Sequence, residues 1–252
     1  MVKNNKIKVL NIISGAKFGG AELFFERLAC SFDKHKSIHQ KIVIRSNKRR
    51  FNNLNAKNSE VEQISNFNYY NPFCFLKVEK IIKDFDPDIV LSWMNRASQI
   101  LPNKKVNNEK KVGRIGGFYK IKNYVNCDFL ITNTQDLKEY VISQGWDQKA
   151  VEYIPNFVNQ NQNSILSKKD KNNNVILCMG RFHKNKAIDI IIKAMPFLPK
   201  FNLFIVGNGS LRIDYENLIK KFDLNSRVKI FEWSQDISEF LNSCSILVCP
   251  SR

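Results

Sequence analysis

Histidine and paired cysteine are scarce in this chain: its 252 residues include three His, and its six Cys form no C-x-x-C pair. The common zinc and dithiol-redox arrangements are therefore not expected, and no metal site is assigned. Cys30, Cys74, Cys127, Cys178, Cys244 and Cys249 are scattered, several within or beside apolar runs. They read as reduced, buried small hydrophobes, which suits a cytoplasmic location. Long hydrophobic runs are missing as well. None approaches the roughly 18–20 residues needed to cross a bilayer. The first apolar run, Ile7–Ile13, stops at Ser14-Gly15 with no cleavage pattern after it, so it predicts a strand and not a leader.

Negative charge is also in short supply, with 23 Asp and Glu against 40 Lys and Arg and a formal net charge of +17. Such an excess suits nucleic acid, an anionic membrane surface, or a plainly solvated surface. No stacking-aromatic motif, zinc finger or helix-turn-helix pattern supports nucleic acid. The other two readings stay open. The densest basic patch is Lys48-Arg49-Arg50, with Lys34, Lys36 and Lys41 near it in sequence. If the membrane reading holds, the contact is peripheral, at the inner face of the cytoplasmic membrane. Hydrophobic residues at 43% and aromatics at 12% supply a globular core.

What the chain does contain is an alternation of short apolar runs with helical patterns. Strands are expected at 6–13, 40–45, 87–92, 112–115, 128–132 and 150–154, with helices at 20–32, 72–84 and 135–144 between them. The polar stretch Asn47–Gln63 reads as a long loop or weak structure. Alternating strands and helices imply an α/β fold with a doubly wound parallel sheet. Residues 156–174 are rich in Asn, Gln, Ser and Lys and read as a linker between domains. The pattern restarts at Val175 and runs to Cys249. The organisation expected is thus a first Rossmann-like domain at 1–155, the linker at 156–174, and a second, incomplete domain at 175–252.

The stretch with the most chemistry is Val175-Ile176-Leu177-Cys178-Met179-Gly180-Arg181-Phe182-His183-Lys184-Asn185-Lys186. A buried strand ends in glycine, and Arg181 and Lys186 follow just before a helix start. Guanidinium matches phosphate oxygens with a planar fork, and Lys adds a point charge, so this turn suits a diphosphate. The first βα turn, Ser14-Gly15-Ala16-Lys17-Phe18-Gly19-Gly20-Ala21-Glu22, offers Gly19 and Gly20 for close backbone approach, or simply for a tight turn. It lacks the G-x-G-x-x-G spacing and an acid closing the next strand, which disfavours a dinucleotide dehydrogenase. Asp86-Pro87-Asp88 matches a D-x-D pattern but reads as the turn leading into a strand. An epimerase-like protein would need Tyr-x-x-x-Lys, whereas Tyr119 and Lys120 are adjacent.

Taken in order, these segments resemble the family-4 glycosyltransferases of the GT-B fold. The resemblance rests on Gly19-Gly20-Ala21-Glu22, Ile154-Pro155-Asn156, Gly180-Arg181 with Lys186, Val206-Gly207-Asn208-Gly209 and Val248-Cys249-Pro250-Ser251. Ser92-Trp93-Met94-Asn95-Arg96-Ala97, Arg114-Ile115-Gly116-Gly117 and Asn133-Thr134 look like segments of bacterial members. The resemblance implies two Rossmann-like domains facing across a cleft, the nucleotide sugar mainly on the second and a saccharide or lipid-linked acceptor on the first. It implies sugar transfer with retention at the anomeric carbon and no metal. Arg181 and Lys186 would hold the donor diphosphate and neutralise the leaving group. Gly19, Gly20 and Gly207 would approach the donor, Trp233 and Asp236 would border the base, and Asn95 and Arg96 would contact acceptor or sugar. The chain departs from the pattern at Ala187 and Glu232, where glycines are usual, and at Ser245, where Asp is common. It also ends before the glutamate pair that the family uses on the donor sugar. A truncated enzyme is therefore expected, and its alternative is an inactive remnant that keeps only ligand or partner binding.

Overall fold

The computed structural model describes residues 6–16, 19–55, 59–65, 67, 70–158, 174–234 and 237–252. The chain divides into two compact units, Met1–Val158 and Asn159–Arg252. Most of the expected linker lies outside the described residues.

The first unit runs β1 (Ile7–Ile13), α1 (Gly20–Lys34), β2 (Ile38–Arg45), α2 (Lys48–Asn55), β3 (Glu60–Ile64) and α3 (Pro72–Phe85). It continues through β4 (Ile89–Trp93), α4 (Met94–Ser98), β5 (Lys110–Ile115), β6 (Phe129–Thr132), α5 (Gln135–Ser143) and β7 (Val151–Tyr153). The strands form one seven-stranded sheet in the order β3-β2-β1-β4-β5-β6-β7, and every pairing is parallel. A strand covered on both faces needs an unbroken apolar run, which is what Ile7–Ile13 nearly supplies. Leu10 and Ile12 point to the cluster containing Val78, Ile82, Leu137 and Val141 of α3 and α5. Val9 and Ile13 point the other way, to Phe24, Phe25 and Ala29 of α1 and Leu54 of α2. The strand order reverses direction between β1 and β4. In an open parallel sheet, ligands bind outside the carboxyl ends of the strands at such a point.

The stretch expected as a polar loop holds α2 and the edge strand β3. The helix forms because Arg50 and Leu54, one turn apart, both turn inward. Arg50 is fully buried, and its Nε and the Nη2 of Arg49 donate to Glu26 at 3.1 and 2.9 Å. On the edge strand, Lys41 reaches Glu60 and Glu62 at 3.2 and 3.6 Å. The basic patch at Lys48-Arg49-Arg50 is therefore not a uniform exposed surface. Two of its arginines and the nearby Lys41 are absorbed by internal pairing. Asp86-Pro87-Asp88 is the turn foreseen, with Asp86 left-handed at the end of α3 and Asp88 Oδ2 accepting from Lys8 N–H at 2.7 Å.

The second unit contains β8 (Val175–Met179), α6 (Ile188–Ala194), β9 (Asn202–Val206), α7 (Arg212–Lys221), β10 (Val228–Phe231), α8 (Ser238–Ser243) and β11 (Ile246–Val248). Its four-stranded parallel sheet has the order β10-β9-β8-β11. Ile176 and Cys178 pack with Ile188 and Ile192 of α6, Leu203 and Ile205 of β9, and Tyr215 and Ile219 of α7. All six cysteines are free thiols. Burial pushes the Cys127 and Cys178 thiols up to about 11, so both stay neutral at physiological pH.

Candidate functional site

In the second unit, two loops at the carboxyl ends of β8 and β9 lock together through their backbones. Gly180 N–H donates to Val206 O at 3.0 Å, and Phe182 N–H to Asn208 O at 2.9 Å. The Phe182 ring is fully buried and meets Tyr215 edge-on at 5.3 Å. Burying that one ring leaves its neighbours Arg181 and His183 exposed on either side. The interlock is tight enough to require glycine. A Cβ at Gly207 would lie 2.0 Å from Gly180 O, and one at Gly209 would lie 2.5 Å from Phe182 O. Gly207 thus has a packing reason of its own, besides any closeness to a ligand.

Lys184–Lys186 forms a 3-10 turn, with His183 Nδ1 accepting from Asn185 N–H at 3.3 Å. The Lys186 stem runs beside Gly180, about where a Cβ would make ordinary contact at 3.6 Å. Ala187 then sits at φ +49° and ψ +33°. This left-handed setting costs an L-residue roughly 1–2 kcal/mol, which accounts for the usual glycine at this position. Glu232, the other departure, accepts from Asn208 Nδ2 at 3.0 Å and pairs with Arg212. It braces the β9 loop from the end of β10. Trp233, next to it, is about half exposed at 47%. Asp236 lies outside the described residues.

The arginines separate structural from available charge. Those of Arg27, Arg114 and Arg227 donate to backbone carbonyls. Those of Arg49, Arg50, Arg212 and Arg252 pair with carboxylates. Of the ten arginines in the chain, Arg45, Arg96 and Arg181 are left with no side-chain partner among the described residues. Lys186 is exposed and equally unpaired.

In the first unit, the β1–α1 turn folds over a carboxylate. Glu22 is 4% exposed and accepts from Ala16 N–H at 2.7 Å. A Cβ at Gly19 would lie 2.2 Å from Glu22 Oε2, so the end of that carboxylate side chain would have to shift to admit it. Gly20 differs, since a Cβ there would meet nothing within 4 Å. Arg50 joins the same turn from below, with Nη2 donating to Ala16 O at 3.0 Å.

Asn95 and Arg96 follow the carboxyl end of β4 on the short α4. The step into that helix passes through Met94 at φ +60°, a strained setting for a bulky side chain. Arg96 N–H donates to Asn95 Oδ1 at 3.0 Å, and the Arg96 side chain is exposed. Both line a cavity of about 810 Å³ together with Arg45, Tyr70, Gln99 and Lys122. Sequence reasoning did not single out Arg45 or Lys122. The signal for Arg45 was its place as the last residue of β2, at the ligand-binding edge of a parallel sheet.

Arg114 was also passed over as a site residue. It is 6% exposed, with its guanidinium 4.9 Å from the Phe24 ring and 5.4 Å from the Trp93 ring. It donates to Ile154 O at 3.1 Å and Asn156 Oδ1 at 2.8 Å, and burial brings its pKa down to about 10. Arg114 therefore holds the Ile154-Pro155-Asn156 segment on the first unit. Among the described residues, no group of three His, Cys, Asp or Glu is placed to hold a metal ion, and no helix is long and apolar enough to cross a membrane.

Residues 159–252 match the family described as Glycosyl transferases group 1. The chain is 27% identical over 242 residues to the lipopolysaccharide core biosynthesis glycosyltransferase LpsE of Rhizobium meliloti (strain 1021), covering 93% of this chain and 70% of LpsE. It is 26% identical over 253 residues to LpsD of the same organism, covering 97% of this chain and 72% of LpsD. The crystal structure of Anabaena HepE in complex with UDP and glucose superposes with a TM-score of 0.79 at 19% identity, over 97% of this chain and 74% of HepE. At that identity the likeness establishes the fold. The chain is a glycosyltransferase of the GT-B fold.

Within the glycosyltransferase, Arg181, Lys186 and Gly207 come together on the interlocked β8 and β9 loops, inside the matched segment. Trp233 follows β10 in a neighbouring loop. Asn95 and Arg96 share the first unit's cavity. Gly19 and Gly20 occupy their own turn after β1.

Proposed function

We propose that this glycosyltransferase moves a sugar from a nucleotide-diphosphate donor to a saccharide or lipid-linked acceptor of the cell envelope, as a family-4-type enzyme retaining anomeric configuration. The observation that carries the reading is the pair of unpartnered cations, Arg181 and Lys186, at the carboxyl end of β8. A strand end that leaves one guanidinium and one ammonium exposed and unpaired among the described residues, while seven other arginines are internally engaged, is suited to a diphosphate. HepE is solved with UDP and glucose, and LpsE is named for lipopolysaccharide core biosynthesis; these support the donor and acceptor classes.

As the bond from the anomeric carbon to the diphosphate oxygen lengthens, negative charge builds on the departing group. Arg181 and Lys186 stabilise that charge electrostatically, and no metal ion is called for. Losing one such group typically costs about 10²–10³ in kcat. Gly19, Gly20 and Gly207 would admit the donor to the backbone, Trp233 would flank the base with Asp236, and Asn95 and Arg96 would face the acceptor. The reading places the enzyme in the cytoplasm, at most touching an anionic membrane peripherally through exposed lysines such as Lys34, Lys36 and Lys48.

The test is incubation of the chain with UDP-, GDP- and ADP-sugars and a core oligosaccharide, with products followed by mass spectrometry and NMR. One donor should be consumed, with an acceptor-dependent product of unchanged anomeric configuration. If every donor stays intact with and without acceptor, the transferase reading of this chain fails and the inactive alternative replaces it.

A further inference from the structure

We infer that the cavity at the carboxyl edge of the first unit's sheet binds an anionic substituent, phosphate or carboxylate, carried by the sugar acceptor. The inference rests on the proposed reading of the chain as a transferase with a saccharide acceptor. Its own grounds are the charges that meet in the cavity. Arg45 at the end of β2, Arg96 on α4 and Lys122 on the 3-10 turn Ile121–Tyr124 all line it, and among the described residues no Asp or Glu does. Two of the three arginines without a side-chain partner among the described residues therefore open into one cavity of about 810 Å³, within the usual range of roughly 300–1,000 Å³ for small-molecule sites.

Several other cations of the fold are met by carboxylates. Lys41 is met by two glutamates, Arg49 and Arg50 share Glu26, and Arg212 has Glu216 and Glu232. Three cations left facing a common space repel one another, and an anion entering that space relieves the repulsion. The walls are also braced. Gln99 Nε2 donates to Asn123 Oδ1 at 2.8 Å, joining α4 to the 3-10 turn, and Asn126 Nδ2 donates to Leu101 O at 2.8 Å. The cations thus stand on a tied framework instead of a loose surface. Arg45 and Arg96 can each present a planar fork to two oxygens of a phosphate or carboxylate, and Lys122 adds a point charge. The amide of Asn95 and the exposed ring of Tyr70 supply the polar and stacking contacts that a sugar ring uses.

The test uses the whole chain, with calorimetric titrations of glucose 6-phosphate, glucuronate and glucose in the presence of saturating UDP. At least one of the two anions should bind, with glucose at least about tenfold weaker. Whether the phosphate or the carboxylate binds more tightly identifies the source of the charge. In the Arg45→Gln, Arg96→Gln double variant, affinity for that anion should fall at least about tenfold. The Arg45→Lys, Arg96→Lys pair, which keeps charge but loses the fork, should fall by less. Glucose binding as tightly as both anions, or a double variant that binds them like the parent, overturns the inference. Failure of UDP to bind the parent chain counts against the donor reading alone, because the comparison of variants can be read without UDP.

Discussion

A methyl group added at Gly207 would strike the backbone carbonyl of Gly180 at 2.0 Å, whereas at Gly20 it would project into open space. Both glycines look like ligand-approach positions in the sequence, yet only one is demanded by the fold. Gly207→Ala should lower stability by about 1–3 kcal/mol, the usual cost of forcing atoms into packed structure. Gly20→Ala should change stability by no more than about 0.5 kcal/mol. If Gly20 is kept bare for the donor, its alanine variant should still raise the donor KM by about tenfold, because small displacements of a bound substrate are expensive. Thermal melts and donor titrations of the two variants check both halves. An unchanged KM at Gly20 would leave its role as a plain turn residue.

At the scale of elements, α2 shows what pattern reading misses. Lys48–Asn55 has too few apolar residues to display a helical stripe, and its inward face is held by a buried guanidinium as much as by Leu54. Arg50→Ala removes the donor to Glu26 and to Ala16 O and leaves that carboxylate short of a partner. Arg49 still reaches Glu26, so the loss should fall below the roughly 3–5 kcal/mol typical of an uncompensated buried charge, at about 1–3 kcal/mol for a lost charged hydrogen bond, read in urea denaturation. A change under about 1 kcal/mol would mean the pair contributes little. The edge strand β3 escaped for a related reason, since Glu60 and Glu62 beside Lys41 look like solvated charge until the pairing is seen. By contrast, β1, β4, β8 and β9 were legible because strands covered on both faces must be nearly continuous in apolar residues. The β8 loop was legible because Gly180, Arg181 and Lys186 lie within one short stretch of sequence. The first unit's cavity was only half legible. Its cations come from β2, α4 and the 3-10 turn at Ile121–Tyr124, and nothing in linear order brings Arg45 to Arg96.

For the whole molecule, the excess of 17 positive charges is not spread as the sequence suggests. Arg49, Arg50 and Lys41 are taken up by acids of the first unit, while Lys34, Lys36 and Lys48 remain exposed. A polybasic segment gains about 1 kcal/mol per Lys or Arg near an anionic surface. Contact with such a membrane should therefore be weak, absent from neutral vesicles, and lost as salt shortens the Debye length to about 3 Å at 1 M. Flotation with and without anionic lipid checks this, and binding that ignores salt would remove the electrostatic reading.

The donor site is the centre of the account, and its most direct test is calorimetric titration of the parent chain and of Arg181→Ala and Lys186→Ala with UDP. Hydrogen bonds to charged groups contribute about 1.5–3 kcal/mol each, so each substitution should weaken UDP by roughly tenfold to a hundredfold, with the melting temperature unchanged. Parent-like UDP affinity in both variants would contradict the assignment of this turn to the donor diphosphate.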